Sequence, residues 1–299
     1  MALIFETYKQ PWDFELLDTG NGYRLEKWGD YFLARPDPQI IWPKSLPQIE
    51  WDKAWAIYKS PSNEARSRWE VKKSIPDPWT IAWNNVRFLL KLSPFKHTGL
   101  FAEQAAQWEW MLDKISRTKT QEPNKSQIQN LKILNLFAYT GGATMVLAKA
   151  GCQVTHVDAS KPSLNWANEN HKLNNLPADS VRWILDDAVK FVKRELKRGA
   201  QYDGIIMDPP AFGHGPTGKQ WKFNDDLPGL LTDCVSLLSK GAKFLIVNGY
   251  ATNSSALSLS NLLEDATKKL NGKIEFGELC LKQSSGRMIS TGIFARWHK

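Results

Sequence analysis

Four stretches beyond residue 137 carry residue types that chemistry uses, each placed just after an apolar run. MDPPAFG, residues 207–213, sets the carboxylate of Asp208 beside two rigid prolines, Pro209 and Pro210, and the ring of Phe212. A strand exit needs only one or two turn residues, and this one combines an acceptor, a stiff backbone and a flat stacking surface. Such a set suits an amino-bearing ring held by edge and face. Upstream, AYTGGATM offers Gly141 and Gly142 as a tight turn that opens a helix, and HVDAS places Asp158 and Ser160 at the end of the next apolar run. A carboxylate about twenty residues beyond a glycine turn suits the two hydroxyls of a ribose. LDDAVKF adds Asp186 and Asp187 after a third run. There a carboxylate can accept from an adenine amino group.

A dinucleotide would need G-x-G-x-x-G to admit its pyrophosphate. The glycine after the pair comes only at Gly151, so the loops fit a nucleoside ligand without a pyrophosphate, of which S-adenosylmethionine is the expectation.

The elements that must position these residues follow from periodicity. ILNLF, QVTHV, VRWIL, DGIIM and AKFLIV read as buried strands, and ATMVLAKAG, KPSLNWANENHKLNN, DAVKFVKRELKRG and LPGLLTDCVSLLSKG read as the helices between them. Strands alternating with helices through short loops predict an α/β fold, a Rossmann-like doubly wound and mostly parallel sheet. Ligands in such a sheet bind beyond the carboxyl ends of the strands, where all four stretches lie. A further helix near residues 255–270 and two closing strands, GKIEFGELCLKQ and RMISTGIFARW, complete this region. Most of the 14 tryptophans precede residue 125, among short alternating segments with turns at Gly20–Gly22, Gly29–Asp30 and Asn84–Asn85. The expected organisation is a small aromatic-rich β domain over 1–75, a connecting hairpin and helix over 76–125, and the doubly wound domain over 126–299, with a polar linker, SRTKTQEPNKSQIQN, ending near 130.

At 299 residues and 42% apolar content the chain can bury one large core and a smaller one. Its balance of 39 basic against 31 acidic groups, +8, favours a polyanionic partner. No apolar run approaches the roughly 20 residues of a membrane span, and MALIFETYKQPWDFE lacks the regions of a signal peptide. A cytoplasmic protein is expected. Cys152, Cys234 and Cys280 lie far apart in apolar segments, which supports neither a disulfide framework nor a thiolate metal site.

NLFAYTGGATMVLAKAG, VDASKPSLNWANENHKLNNL, DDAVKFV and MDPPAFG resemble the bacterial class I methyltransferases that modify bases of large-subunit ribosomal RNA. HTGLFAEQAAQWEWM is similar to the G-L-F-x-x-Q segment before that family's catalytic domain, and RMISTGIFARW to its closing hairpin. The resemblance implies that Ala138, Tyr139 and Gly141 line the methionine side of S-adenosylmethionine, that Asp158 holds the ribose with Ser160 nearby, and that Asp187 holds the adenine. It also implies that Phe101 and Gln104 help to close the pocket, and that large-subunit ribosomal RNA is the partner.

Methyl transfer from a sulfonium releases a neutral thioether, so positioning dominates and no acid is needed. Asp208, Pro209, Pro210 and Phe212 are the expected catalytic set. A pyrimidine ring carbon becomes a nucleophile only after a cysteine adds to the ring. The cytosine-modifying relatives carry that cysteine after the fifth strand, where this chain has Asn248 and Gly249, so transfer to a nitrogen is expected, with Asn248 orienting the substrate. A methyltransferase acting on a protein side-chain amide or a small molecule would use the same Asp-Pro-Pro arrangement. A non-catalytic RNA-binding module would need neither Asp208 nor Phe212. ARSRWEVKK, with Arg66, Arg68, Lys72 and Lys73 around Trp69, suits either an accessory RNA surface or an amphipathic segment with Trp69 in the core.

Overall fold

The computed structural model describes residues 2–59, 67–116, 131–214 and 220–299. The linker read near 117–130 and Arg66 lie outside them. The chain forms two compact units, one of Met1–Glu6, Ala106–Leu279 and Ser290–Lys299, the other of Thr7–Ala105 and Cys280–Ile289.

The first strand of the chain, β1 (Ile4–Glu6), belongs to the first unit. In the second unit β2 (Phe14–Gly20), β3 (Tyr23–Trp28), β4 (Tyr31–Pro36), β5 (Ala56–Lys59) and β6 (Arg68–Val71) lie in that order in one sheet, with a short helix α1 (Gln48–Trp51) before β5. β7 (Trp79–Trp83) and β8 (Val86–Leu90) form a separate hairpin. Its turn puts Asn84 at φ 51° and the β2–β3 turn puts Asn21 at φ 52°, left-handed positions that asparagine tolerates better than most residues. Trp28 and Trp83 are fully buried. Beside Trp28, the buried Glu26 carboxylate meets Arg35 at 2.6 Å and Arg24 at 3.3 Å. Burial alone would raise its pKa, but the two guanidinium groups hold it below the ordinary value.

Helix α2 (Gln104–Ser116) leads into the doubly wound part of the first unit. Its sheet has β9 (Lys132–Leu136) at the centre. After β9 come helix α3 (Gly142–Lys149), β10 (Gln153–Asp158), α4 (Lys161–Leu173), β11 (Val181–Leu185), α5 (Ala188–Lys197) and β12 (Gly204–Met207). A small ribbon, β13 (Phe212–His214) with β14 (Gln220–Lys222), precedes α6 (Phe223–Ser236), β15 (Phe244–Gly249), α7 (Ala256–Thr267) and the closing strands β16 (Lys273–Lys282) and β17 (Met288–His298). The strand order is β1-β16-β17-β15-β12-β9-β10-β11, with β9, β10, β11, β12 and β15 parallel and β17 antiparallel to β15. The chain moves outward from β9 through β10 to β11, then returns to the other flank of β9 as β12. The reversal therefore opens a crevice between the carboxyl ends of β9 and β12, where the glycine loop and the Asp-Pro-Pro stretch begin. Leu134, Leu136, Ile205, Met207, Leu245 and Val247 are fully buried, as a sheet covered on both faces requires.

Candidate active site

The loop after β9 has an alternating backbone. Phe137, Tyr139 and Gly141 take φ 55°, 51° and 85°, all left-handed, with ordinary residues between them. This is the backbone that a G-x-G-x-G run adopts without strain, and here two of its three positions carry aromatic side chains. Each non-glycine residue held there costs roughly 1–2 kcal/mol, so surrounding bonds must compensate. Gly141 N–H donates to the Ala138 carbonyl (3.0 Å), Ala138 N–H to the Val157 carbonyl (3.1 Å), and the buried Asn170 amide to the Thr140 carbonyl (2.9 Å). Gly141 then caps α3, whose first turn is held to the sheet by Thr144. Its hydroxyl oxygen accepts from Asn135 Nδ2 at 3.0 Å and lies 3.0 Å from His156 Nδ1. His156 is fully buried, and burial lowers its pKa to about 3, so the imidazole is neutral.

Asp158 ends β10 and faces this loop. Its Oδ2 accepts from Tyr139 N–H at 2.7 Å and its Oδ1 from Ser160 N–H at 2.8 Å. Each oxygen keeps further lone-pair capacity, enough for the two hydroxyls of a ribose. Burial raises the pKa of this carboxyl, and the amides of Ser160 and Tyr139 pull it part of the way back. The Ser160 hydroxyl accepts from Ser163 N–H and so caps α4. Asp187 caps α5 in the same manner, its Oδ1 accepting from Lys190 N–H at 2.9 Å. Its neighbour Asp186 is engaged by Asp187 N–H and by Arg194. Thus Ala138, Tyr139, Gly141, Asp158, Ser160 and Asp187 come together along the carboxyl ends of β9, β10 and β11. Their donors and acceptors suit a nucleoside, and the side chains of Phe137 and Tyr139 stand where a pyrophosphate-binding loop keeps hydrogen atoms.

Across the crevice, β12 is followed by Asp208, whose N–H points to the Leu136 carbonyl at 3.4 Å. Pro209 is buried and Pro210 exposed. The Pro210 carbonyl is occupied by Trp221 Nε1 at 2.8 Å, and the Ala211 carbonyl accepts from Phe223 N–H at 3.1 Å. These bonds engage the Pro210 and Ala211 carbonyls within the protein. Phe212 is 66% exposed, a ring free to stack. The Trp221 ring lies 5.1 Å from that of Phe137, which ties the β13–β14 ribbon to the cofactor loop.

Asn248, at the end of β15, is buried, and its Oδ1 accepts from Gln107 Nε2 at 3.3 Å. Gln107 in turn accepts from Arg296, which also binds Glu6 and Glu275. Cys152, Cys234 and Cys280 are free and buried. Trp69 is half-buried, with Nε1 donating to the Ser93 and Phe95 carbonyls, which favours its reading as a packed residue. Among the described residues no group of three or more His, Cys, Asp or Glu side chains is arranged to hold a metal ion, and no helix is long and apolar enough to cross a membrane. Sequence reasoning missed Asn135, Phe137, Thr144 and His156. Asn135 and His156 sit in strand interiors where polar residues are unusual, and that was the available signal.

The sequence matches the family described as S-adenosylmethionine-dependent methyltransferase over residues 58–278. The chain belongs to that family. A solved S-adenosylmethionine-dependent methyltransferase from Agrobacterium tumefaciens is 36% identical, with TM-score 0.91 over 100% of this chain and 94% of that one. A methyltransferase solved with S-adenosylhomocysteine shares the fold at 18% identity and TM-score 0.71, over 97% of this chain and 76% of that one. Among curated relatives, ribosomal RNA large subunit methyltransferase K/L of Colwellia psychrerythraea is 27% identical over 70% of this chain and 27% of its own length. The chain therefore spans about a quarter of that relative. Ribosomal RNA large subunit methyltransferase K of Neisseria meningitidis is 24% identical over 82% of this chain and 67% of its own. S-adenosylmethionine is the methyl donor of this family, and the donor set built by β9, β10 and β11 fits it.

Proposed function

We propose that this methyltransferase transfers a methyl group to a nitrogen of an RNA base, with large-subunit ribosomal RNA as the source of that base. The observation that carries the reading is the pairing of Asp208 with an exposed Phe212 at the switch point of the sheet, opposite the cofactor loops. Bound S-adenosylmethionine supplies a sulfonium methyl whose departure leaves a neutral thioether. The protein's part is to place the nucleophile. Asp208 accepts hydrogens from the amino or imino edge of the base, which fixes its rotation and offsets positive charge on the attacking nitrogen. Phe212 stacks on one face, and the Pro209–Pro210 backbone removes slack. Asp158 and Asp187 hold ribose and adenine. No thiol lies at the end of β15, where Asn248 stands, which favours nitrogen over a pyrimidine carbon. The names of the relatives and the net charge of +8 support an RNA substrate. A cytoplasmic location accords with that substrate.

The test is nucleoside mass spectrometry on RNA from cells with and without the gene, and on that RNA after treatment with purified protein and labelled donor. A methylated nucleoside restored by the protein, with the label on nitrogen, is expected. Label on a ring carbon would overturn the choice of atom. No label in any RNA would overturn the substrate class.

A further inference from the structure

Asn135, His156 and Trp183 occupy one row across the sheet, since His156 is paired in register with Asn135 on one side and Trp183 on the other. Thr144 descends onto this row from the first turn of α3. Asn135 donates to its hydroxyl oxygen, so the hydroxyl proton is free to point at His156 Nδ1, 3.0 Å away. That places the ring proton on Nε2. The Nε2 atom is buried and makes no hydrogen bond of full geometry, while the backbone of Tyr139 is the hydrogen-bonding group that acts on the ring. A buried donor in this state is costly. The carbonyl it acts with belongs to the loop residue whose N–H binds Asp158. Trp183 packs against the ring at 4.9 Å, tilted by 54°. Gly141 completes the enclosure, its Cβ position lying 3.6 Å from His156 Cε1.

We propose that His156 is a positioning residue for the cofactor, the last member of a relay running from Asn135 through Thr144 and the imidazole to the Tyr139 carbonyl, and that cofactor binding completes its final hydrogen bond. The relay works from beneath the loop. Once that bond is completed, Nε2–H holds the left-handed Tyr139, so that Tyr139 N–H stays aimed at Asp158 and the Asp158 carboxylate at the ribose. This inference rests on the cofactor reading of the loop and is independent of the RNA reading, because every readout below uses protein and S-adenosylmethionine alone.

The experiment combines calorimetry with nitrogen NMR of the histidine rings, of which the chain has 5. The His156 ring should show a protonated Nε2 and an unprotonated Nδ1 at neutral pH, with the Nε2 proton moving downfield on addition of S-adenosylmethionine. Thr144→Val and His156→Phe should each weaken cofactor binding by about 10-fold, the loss of roughly one buried hydrogen bond. The double variant should be no weaker than either single one, as members of one relay require. Thr144→Ser should restore binding. A proton on Nδ1, an unmoved Nε2 resonance, or losses that multiply in the double variant would each overturn the proposal. Should His156→Phe fail to fold, the Thr144 pair and the tautomer measurement still decide it.

Discussion

Replacing Gly141 by alanine separates two demands that the cofactor loop makes on one residue. The first is backbone conformation, because φ is 85° and an L-residue there costs roughly 1–2 kcal/mol. The second is space. An added methyl would lie 3.2 Å from Met145 Cε and 3.3 Å from Ala167 Cβ. The Met145 tip can swing aside, but Ala167 Cβ is fixed to the backbone of α4, so α3 and α4 must separate by a few tenths of an ångström. Overpacking of that kind costs about 1–3 kcal/mol, and the two effects together give about 2–5 kcal/mol. Gly199, in the same unit, has φ 65° and nothing within 4 Å of its Cβ position. Gly199→Ala therefore carries the backbone cost alone, roughly 1–2 kcal/mol. Urea unfolding of both variants should show Gly141→Ala as the more damaging by about 1–3 kcal/mol. Calorimetry should show lost cofactor affinity for Gly141→Ala only. Equal stability losses, or unchanged affinity in both, would refute the steric argument.

Three further outcomes are expected. In the proposed site the ionised form of Asp158 accepts from the ribose, and burial raises its pKa, so cofactor affinity should be full at neutral pH and fall on acidification through a pKa above the ordinary 3.8; Asp158→Asn should bind weakly with no such fall, which calorimetry across pH can check. Phe212→Ala should raise the KM for RNA, since a base stacked on an aromatic ring is worth about 1–3 kcal/mol, and should leave the Kd of S-adenosylmethionine unchanged; a cofactor defect would refute the assignment of the ring to the base. Burial raises the thiol of Cys152 to about 12 and that of Cys234 further still, and Cys280 is equally enclosed; iodoacetamide at pH 8 should label the native chain far more slowly than the unfolded chain, as intact-mass measurement would show.

Alternation of strands and helices was legible because each parallel strand is a short, mostly apolar run and each helix carries its own period. Residues 133–137, 153–157 and 181–185 read as strands, and the observed elements Lys132–Leu136, Gln153–Asp158 and Val181–Leu185 differ by a residue at most. The acidic residues at strand ends were legible for the same reason, since the end of a run locates them. Long-range pairing was not. Ile4–Glu6 joins β16 with Ile4 opposite Gly277, and three residues carry no local mark of a partner so distant. Nor does any propensity announce Phe137 and Tyr139 at positive φ, because tertiary bonds from Asp158, Asn170 and Trp221 impose it. Asp187 shows a third limit. A carboxylate after a strand also makes a helix cap, and Asp187 performs that structural task whichever ligand it meets.

The contact between Phe137 and Trp221 joins two surfaces that a reaction diagram would draw separately. One ring belongs to the loop after β9, the other to the ribbon that carries Phe212, the ring proposed to meet the acceptor. Neither can be displaced without reshaping the other. Any free energy that donor binding stores in this contact must reappear, equal in size and sign, in the affinity for the acceptor. On the proposed reading, two substrates that share no binding residue would become thermodynamic partners through a pair of aromatic rings.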